Sequence, residues 1–520
     1  MPQQMLSFKY EKDPTNNKLT ALGGLPLYLD LMTSLGFIQS LRKCLDPKEL
    51  GNGWSMSDVV ISLILVNLAG GDCVEDLDML NADLGFSRVM ELVHRAGYSR
   101  QQRRALQRKL LKLKLRKLPS KSPAFRRLEE FHNVEEEQEK TNRRAAAEHT
   151  GEGKAYIQKP NQKLRTLMDM VRIFLAALQK RSPQSVATLD QDATLVETFK
   201  EEALYCYKKY KAYQPLNTYW AEQGVVLHTE FRDGNVPAGY EELRVFKDAL
   251  NNLPEGVTKV LFRADTAAYQ LDLLKYCAEG NSERFGVIEF AVGADVTAEF
   301  KKHVAQVPEA EWKPLVREAD GMQLTTGQEW AQVEYEPNWI AHKKNGPRVR
   351  FLAIREPLLQ LELPGVVPQQ ELPFPTMEFE QQGRQVRHKL FGVITNRTMS
   401  GDEIIWWHRK RCGYSEQVHL VMKEDLAGGK LPSGKFGVNA AWWQIMVLAL
   451  NLAEVMKRLV LEGTWVKKRM KALRFHLINI AGRVIERGRQ IRIRLSGEHP
   501  AFGLICQARK RIAALAAMET

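Results

Sequence analysis

Apolar residues recur every three or four positions through "GGLPLYLDLMTSLGFIQSLRKCL" and "SMSDVVISLILVNLAGG". That spacing stacks them on one helical face and predicts helices across residues 20–95. Ser57, ahead of Asp58, is the expected N-cap of the second run, and Gly70-Gly71 its stop. Small helical units of this kind are compatible with a helix-turn-helix. From about residue 184 the pattern becomes that of strands. "VATLDQDATLVE" is the first, and "NTYWAEQ" and "GVVLHTEFRDGN" pair around a turn near Gly224. A helix in "GYEELRVFKDALNNL", a strand in "KVLFRADT", a helix in "AAYQLDLLKYCAEG" and a strand in "RFGVIEFAVGAD" follow. The order β-β-β-α-β-α-β is that of an RNase H-like α/β core.

Residues 296–390 break the pattern. "EWAQVEYEPN", "RVRFLAIREP" and the Pro-rich "LELPGVVPQQELPFPTMEF" read as an inserted, mostly β module. The core resumes at "HKLFGVITNRT". Two long helices follow, "SGDEIIWWHRKRCGYSEQVHLVMKEDL", with an expected break near Gly413, and "NAAWWQIMVLALNLAEVMKRLV". The longest apolar run is interrupted by Gln444 and Asn451 and is short for a membrane span, so it reads as a buried helix.

Five regions result. Residues 1–175 form a helical, basic region with a linker. Residues 176–295 are the first part of the core and 296–390 the β-rich insertion. Residues 391–460 are the second part of the core, and 461–520 a basic helical C-terminus.

Charge adds a partner to this picture. The 520 residues carry a formal net charge of +13, with a pI near 9.3, which favours a polyanion, nucleic acid before membrane. The basic residues also cluster. "RQQRRALQRKLLKLKLRKLPSK" holds no acid between Arg100 and Lys121, and Arg103, Arg104, Arg108, Lys109 and Lys112 would line a phosphate-tracking helix. The polar "VEEEQEKTNRRAAAEHTGEGKAYIQKPNQK" after it reads as a linker or surface excursion. The six cysteines are far apart, with no Cys-x-x-Cys, so neither a zinc site nor a disulfide framework is expected. With no apolar signal segment in "MPQQMLSFKYEKD", a reduced cytoplasmic compartment fits.

Candidate chemistry lies in the acids. Asp190 and Asp192 sit two apart in the first core strand, hence on one face. Asp265 ends the fourth strand, and Glu416 lies on the first late helix. In an RNase H-like sheet the first and fourth strands are neighbours, so their acids can meet. Three carboxylates suit phosphoryl transfer assisted by two Mg²⁺ ions about 3.5–4 Å apart. On the residues alone, a cap of the next helix is the alternative reading of Asp265, and Glu403 and Glu424 rival Glu416. Trp330 and Trp339, in the β insertion, are either core residues or stacking platforms for a flipped base.

Taken together, "TLDQDATLVE", "LFRADTAAY", "FAVGADVT", "GYSEQVHLVMK" and "FGVNAAWWQIMVLALNLAEV" make the sequence resemble the DDE transposases of bacterial insertion sequences, in the group with a Tyr-Arg-Glu-Lys signature. The likeness covers most of the chain. It implies that Asp192, within Asp-Ala-Thr, is the first catalytic acid, Asp265 the second and Glu416 the third. These would hold Mg²⁺, for which Mn²⁺ can substitute, and Asp190 is a second candidate ligand. Lys423 matches the signature Lys, and Arg411 is nearest to its Arg. Two departures stand out: Arg411 lies one residue too far from Glu416, and His408 holds the Tyr position. The resemblance further implies cut-and-paste transposition in a bacterial cell, on double-stranded DNA with terminal inverted repeats and a target, by a synaptic homodimer. The alternatives are an inactive, transposase-derived DNA-binding protein and another RNase H-like nuclease.

Overall fold

The computed structural model describes residues 18–46, 53–95, 100–101, 103–104, 107–108, 117–150, 155–319, 322–337, 348–358, 372, 374–381, 383–487 and 490–517. The chain divides into two compact units, one of residues 1–133, 160–174 and 421–520, the other of residues 134–159 and 175–420.

The first unit is mainly helical, as the three- and four-residue spacing requires. Helices Pro26–Ser34, Phe37–Leu45 and Met56–Ala69 bury their apolar faces. The apolar run expected to be buried is the helix Phe436–Val455, with Trp442 and Trp443 at its centre. No single helix among the described residues is long and apolar enough to cross a membrane. The N-cap of Met56–Ala69 is Ser55, whose hydroxyl accepts from the Asp58 amide at 3.1 Å. Ser57 lies inside the helix. The Asp46 carboxylate accepts from the Met56 and Ser57 amides, which moves the helix start two residues earlier than expected. Gly70 closes the helix at φ 105°, a left-handed conformation that glycine adopts without strain.

The C-terminal region is not wholly helical. Gly482–Arg487 and Gln490–Arg494 form an antiparallel hairpin that pairs with Leu19–Thr20, before a helix Ala501–Ala517. Isoleucine and valine alternate with arginine there, which is a strand period. The expected linker also contains structure, a helix Val134–Thr150 in the second unit. Three glutamates occupy its first turn, where the helix dipole favours anions, and Glu139 pairs with Arg143 one turn on. Lys140 reaches the buried Asp233 carboxylate at 3.4 Å. Core residues are sparse in this helix, so the apolar pattern gave no sign of it.

Elements of the second unit are numbered here in chain order. The core comprises β1 (Val186–Ala193), β2 (Leu216–Trp220), β3 (Val225–Glu230), α1 (Glu242–Asn252), β4 (Lys259–Ala264), α2 (Leu271–Ala278) and β5 (Glu289–Ala294). This is the expected β-β-β-α-β-α-β order. β2 and β3 pair antiparallel around Gly224, and β1 runs parallel to β4, which runs parallel to β5. A small three-stranded sheet (Val196–Glu197, Leu204–Tyr205, Lys211–Tyr213) interrupts the chain between β1 and β2.

The insertion supplies β6 (Lys313–Ala319), β7 (Met322–Val333), β8 (Arg350–Pro357), β9 (Thr376–Gln381) and β10 (Arg384–Thr395). These strands are not a separate module. The last residues of β10, Gly392–Thr395, pair antiparallel with β5, so core and insertion form one ten-stranded sheet. Its order is β6-β7-β8-β10-β5-β4-β1-β2-β3, with β9 also on β10. Trp330, on β7, is buried with Leu315, Ile354 and Ile405. A Cβ at Gly401 would lie 2.1 Å from the Trp330 ring, so glycine is required at that approach. Trp330 is thus a core residue, with no open face for a base. Trp339, Lys109 and Lys112 lie outside the described residues.

After β10 comes α3 (Gly401–Leu420), which runs unbroken through Gly413. A Cβ at Gly413 would meet nothing within 4 Å, so that glycine answers no packing need and makes no break. The helical irregularity falls later, in a π-helical turn at Val421–Asp425.

Candidate active site

The two acids of β1 point the same way and have different partners. Asp190 is fully buried and takes a two-pronged ion pair from Arg263 on β4, Nε to Oδ1 at 2.6 Å and Nη2 to Oδ2 at 2.8 Å. The parallel register sets these two residues opposite each other. Arg263 also donates to the Trp407 carbonyl at 2.8 Å, and its guanidinium lies 5.2 Å from the Trp407 ring. Both Asp190 oxygens are therefore held by a fixed cation.

Two residues further along, Asp192 and Asp265 follow at the carboxyl ends of these adjacent parallel strands, each one position past the last pair of the ladder, Gln191 and Ala264. This is the meeting expected of the first and fourth strands. The Asp265 carboxylate also accepts from the Ala267 amide at 3.0 Å, so it does cap the short turn after β4. Capping occupies one lone pair of one oxygen and leaves the remaining capacity of the carboxylate. Asp192 accepts from Arg411 Nη1 at 3.3 Å. Burial pushes the Asp192 carboxyl up to about 7; Arg411 opposes the rise and Asp265 adds to it.

That shift has a consequence for stability. Between the ordinary carboxylate pKa near 4 and about 7, the folded chain holds a proton on Asp192 that the unfolded chain has lost. Stability in the absence of metal should therefore fall as pH rises through this window. Melting temperatures measured in EDTA from pH 5 to 8 should fall more steeply for the wild type than for Asp192→Asn. Parallel curves would show that Asp192 is ionised throughout.

Helix α3 carries the other side chains of the site. Arg411, Ser415 and His419 recur every four residues and share a face. His419 Nδ1 lies 4.0 Å from Asp192 Oδ2, and its Nε2 lies 3.3 Å from Asn217 Nδ2. Asn217 stands opposite Asp192 across the β1–β2 ladder, and its Oδ1 accepts from Thr229 at 2.6 Å. That bond leaves the Asn217 amide to donate to His419 Nε2. A neutral His419 then carries its proton on Nδ1, facing Asp192. Arg411 Nε and Ser415 Oγ are buried without a hydrogen-bond partner among the described residues.

The other expected residues have varied places. His408 Nε2 contacts the Ala264 carbonyl at 2.8 Å, just before Asp265. Burial drives its pKa down to about 4, against the pull of that carbonyl, and Arg411, Arg263 and Arg409 lower it further. A neutral ring bound to backbone offers no cation to a phosphate. Glu416 is exposed on α3, and among the described residues no hydrogen bond or ion pair joins it to Asp192 or Asp265. At about 100° per residue it stands about 60° around the helix from His419. Lys423 lies in the π-helical turn, in the other unit, so the simple two-turn spacing from Glu416 does not hold. Arg103, Arg104 and Arg108 are helical and exposed.

Some residues of the site were missed in the sequence. His419 was findable, as the third member of the Arg411–Ser415–His419 stripe. Asn217 was not, because only strand register brings it to Asp192. Glu242, at the start of α1, is buried, and the charges of Asp265 and Asp192 act on it. Nothing in "GYEELRV" marks it out from an ordinary helix start. The small sheet exposes Tyr205 and Tyr207, with Phe199 (96% exposed) in the loop between its first two strands and Lys208 and Lys209 beside them.

Comparison with known proteins adds the following. A family described as transposase DDE domain group 1 matches residues 9–344 and 375–517. No curated protein matches. Among solved structures, a piggyBac transposase synaptic complex with hairpin DNA aligns at 8% identity and a TM-score of 0.37, over 94% of this chain and 81% of that one.

Proposed function

We propose, from the premise that the chain belongs to the transposase DDE family, that it binds the inverted repeats of an insertion sequence, cleaves their ends and joins the 3′-hydroxyl strands to target DNA. The observation that carries this reading is the meeting of Asp192 and Asp265 at adjacent strand ends, with α3 laying Arg411 and His419 against Asp192. Asp192 is desolvated beside a second acid, an arrangement that a hard divalent cation with oxygen ligands would relieve. Mg²⁺, or Mn²⁺ in its place, would be held by Asp192 and Asp265, with Glu416 as third acid. When bound, it supplies a more acidic water or 3′-hydroxyl and neutralises charge on the scissile phosphate.

The chain's own groups do the rest. Arg411 offers a guanidinium beside Asp192 for phosphate oxygens. Asn217 holds His419 in one tautomer, with its proton toward Asp192. His408 stays neutral and fixes α3 to the end of β4, leaving phosphate binding beside Asp192 to Arg411. The Asp190–Arg263 pair holds β1 and β4 in register beneath the catalytic acids. Arg103, Arg104 and Arg108 contact DNA phosphates, while Phe199, Tyr205, Tyr207, Lys208 and Lys209 provide aromatic and cationic contacts of the kind that grip displaced strands. The synaptic assembly is a homodimer, and the reaction takes place in the bacterial cytoplasm.

The test is an assay with DNA fragments carrying the element's terminal repeats. In Mg²⁺ or Mn²⁺ the full chain should nick at the repeat boundary and join a pre-cut end to a target plasmid. Specific binding with no cleavage in either metal would establish an inactive descendant. Cleavage without joining would establish a nuclease.

A further inference from the structure

We propose that the exposed face of the C-terminal hairpin, Gly482–Arg487 with Gln490–Arg494, is a docking surface for duplex DNA. The inference rests on the reading above, that the chain acts on DNA, and adds a surface to which that reading gives no part.

Strand register assembles the face. Side chains alternate along each strand, so the cross-strand pairs Arg483–Arg494, Ile485–Arg492 and Arg487–Gln490 share one side of the hairpin. Its four arginines are all exposed, and Ile485 is half-buried among them. The single acid of the hairpin, Glu486, is on the opposite side, where it accepts from Arg88 Nε of the helix Leu84–Arg95 at 2.6 Å. Val484, on that side too, is buried. The Val484 amide donates to the Lys18 carbonyl at 3.0 Å, and Leu19–Thr20 pairs with Arg483 and Gly482. The hairpin is therefore fastened along one strand and one face, and its arginine face is left to solvent.

That face is built against its own stability. Arg483 and Arg494 stand directly opposite each other, where like charges destabilise a ladder. Arg492 adds a third cation two residues from Arg494 on the same strand. Among the described residues, no acid forms an ion pair with any of the four arginines. Charge on an edge strand blunts pairing with other chains, which accounts for Arg492 and Arg494. It does not account for Arg483, which lies on the middle strand. A surface charged for solubility mixes its signs, and this one does not. A polyanion supplies the missing counter-charge. A two-stranded ribbon is of the size that the major groove of B-DNA admits, and arginines along both strands can reach its phosphates.

The probe is a labelled duplex carrying the element's terminal repeat, titrated with the full chain by fluorescence anisotropy in EDTA at several salt concentrations. Arg492→Gln/Arg494→Gln should weaken binding by about tenfold and lower the slope of log affinity against log salt by about two. Without DNA, the melting temperature of this variant should equal or exceed that of the wild type, because Arg483 no longer faces a like charge. A merely structural role would lower the melting temperature and leave the salt slope unchanged, which would overturn the inference. If the wild type binds the duplex and the variant keeps its affinity and slope, the inference fails alone. If the wild type neither binds nor cleaves the duplex, the DNA reading fails with it. Arginine-dependent binding to vesicles of anionic lipid, with duplex binding unchanged, would give the face to a membrane and overturn the proposal. Should the double variant not fold, Arg483→Gln decides: a salt slope lower by about one supports the assignment, and an unchanged slope overturns it.

Discussion

Asp265→Asn and Asp192→Asn should each lower cleavage of a DNA end by about a thousand-fold or more, with DNA affinity changed only a few-fold. A thousand-fold loss is about 4 kcal/mol of barrier, the order expected when a site loses an anionic metal ligand. Asparagine keeps the size of aspartate, so the cap on Ala267 survives in Asp265→Asn as an amide oxygen. DNA affinity should survive because neither aspartate supplies a cation to the phosphates. Glu416→Gln should fall into the same class. The measurement is single-turnover cleavage of a labelled repeat end in Mg²⁺, beside a gel-shift titration. Wild-type cleavage by Asp265→Asn and Glu416→Gln would sink the assignment of the acids.

The second large effect concerns stability. Arg263→Met should destabilise the chain by about 3–5 kcal/mol, because it strands the buried Asp190 carboxylate. The double variant Asp190→Leu/Arg263→Met should recover much of that loss, since an apolar pair of similar volume leaves no charge unpaired. Denaturant titration of the two variants reads both numbers. A single variant within about 1 kcal/mol of wild type would mean that Asp190 finds another partner. The same experiment bears on the choice between the acids of β1, since a carboxylate clamped at 2.6 and 2.8 Å by arginine is a structural group first.

The parts of this molecule legible in the sequence are those set by short-range pattern. The strand and helix order of residues 186–294, the Gly224 turn and the buried helix near 440–455 follow from local spacing. The proximity of Asp192 and Asp265 follows once that order is granted. What pattern could not reveal depends on partners far along the chain. Asp190 meets an arginine 73 positions away, and β10 joins β5 across the whole insertion. Nothing local foretells either. The helix at 134–150 escaped because it rests on end charges, an ion pair and one buried lysine rather than on an apolar stripe. Glu242 escaped because a left-handed residue before it, Glu241 at φ 52° and invisible in composition, decides which of two neighbouring glutamates is buried.

The unbroken course of α3 works like a camshaft. Arg411 and His419 are about 12 Å apart along its axis, yet both close on one oxygen of Asp192, from either end of the lobe that Ser415 marks. The extra residue between Arg411 and Glu416 therefore puts no kink in the shaft, and one helix face sets the arginine and the histidine against the same oxygen.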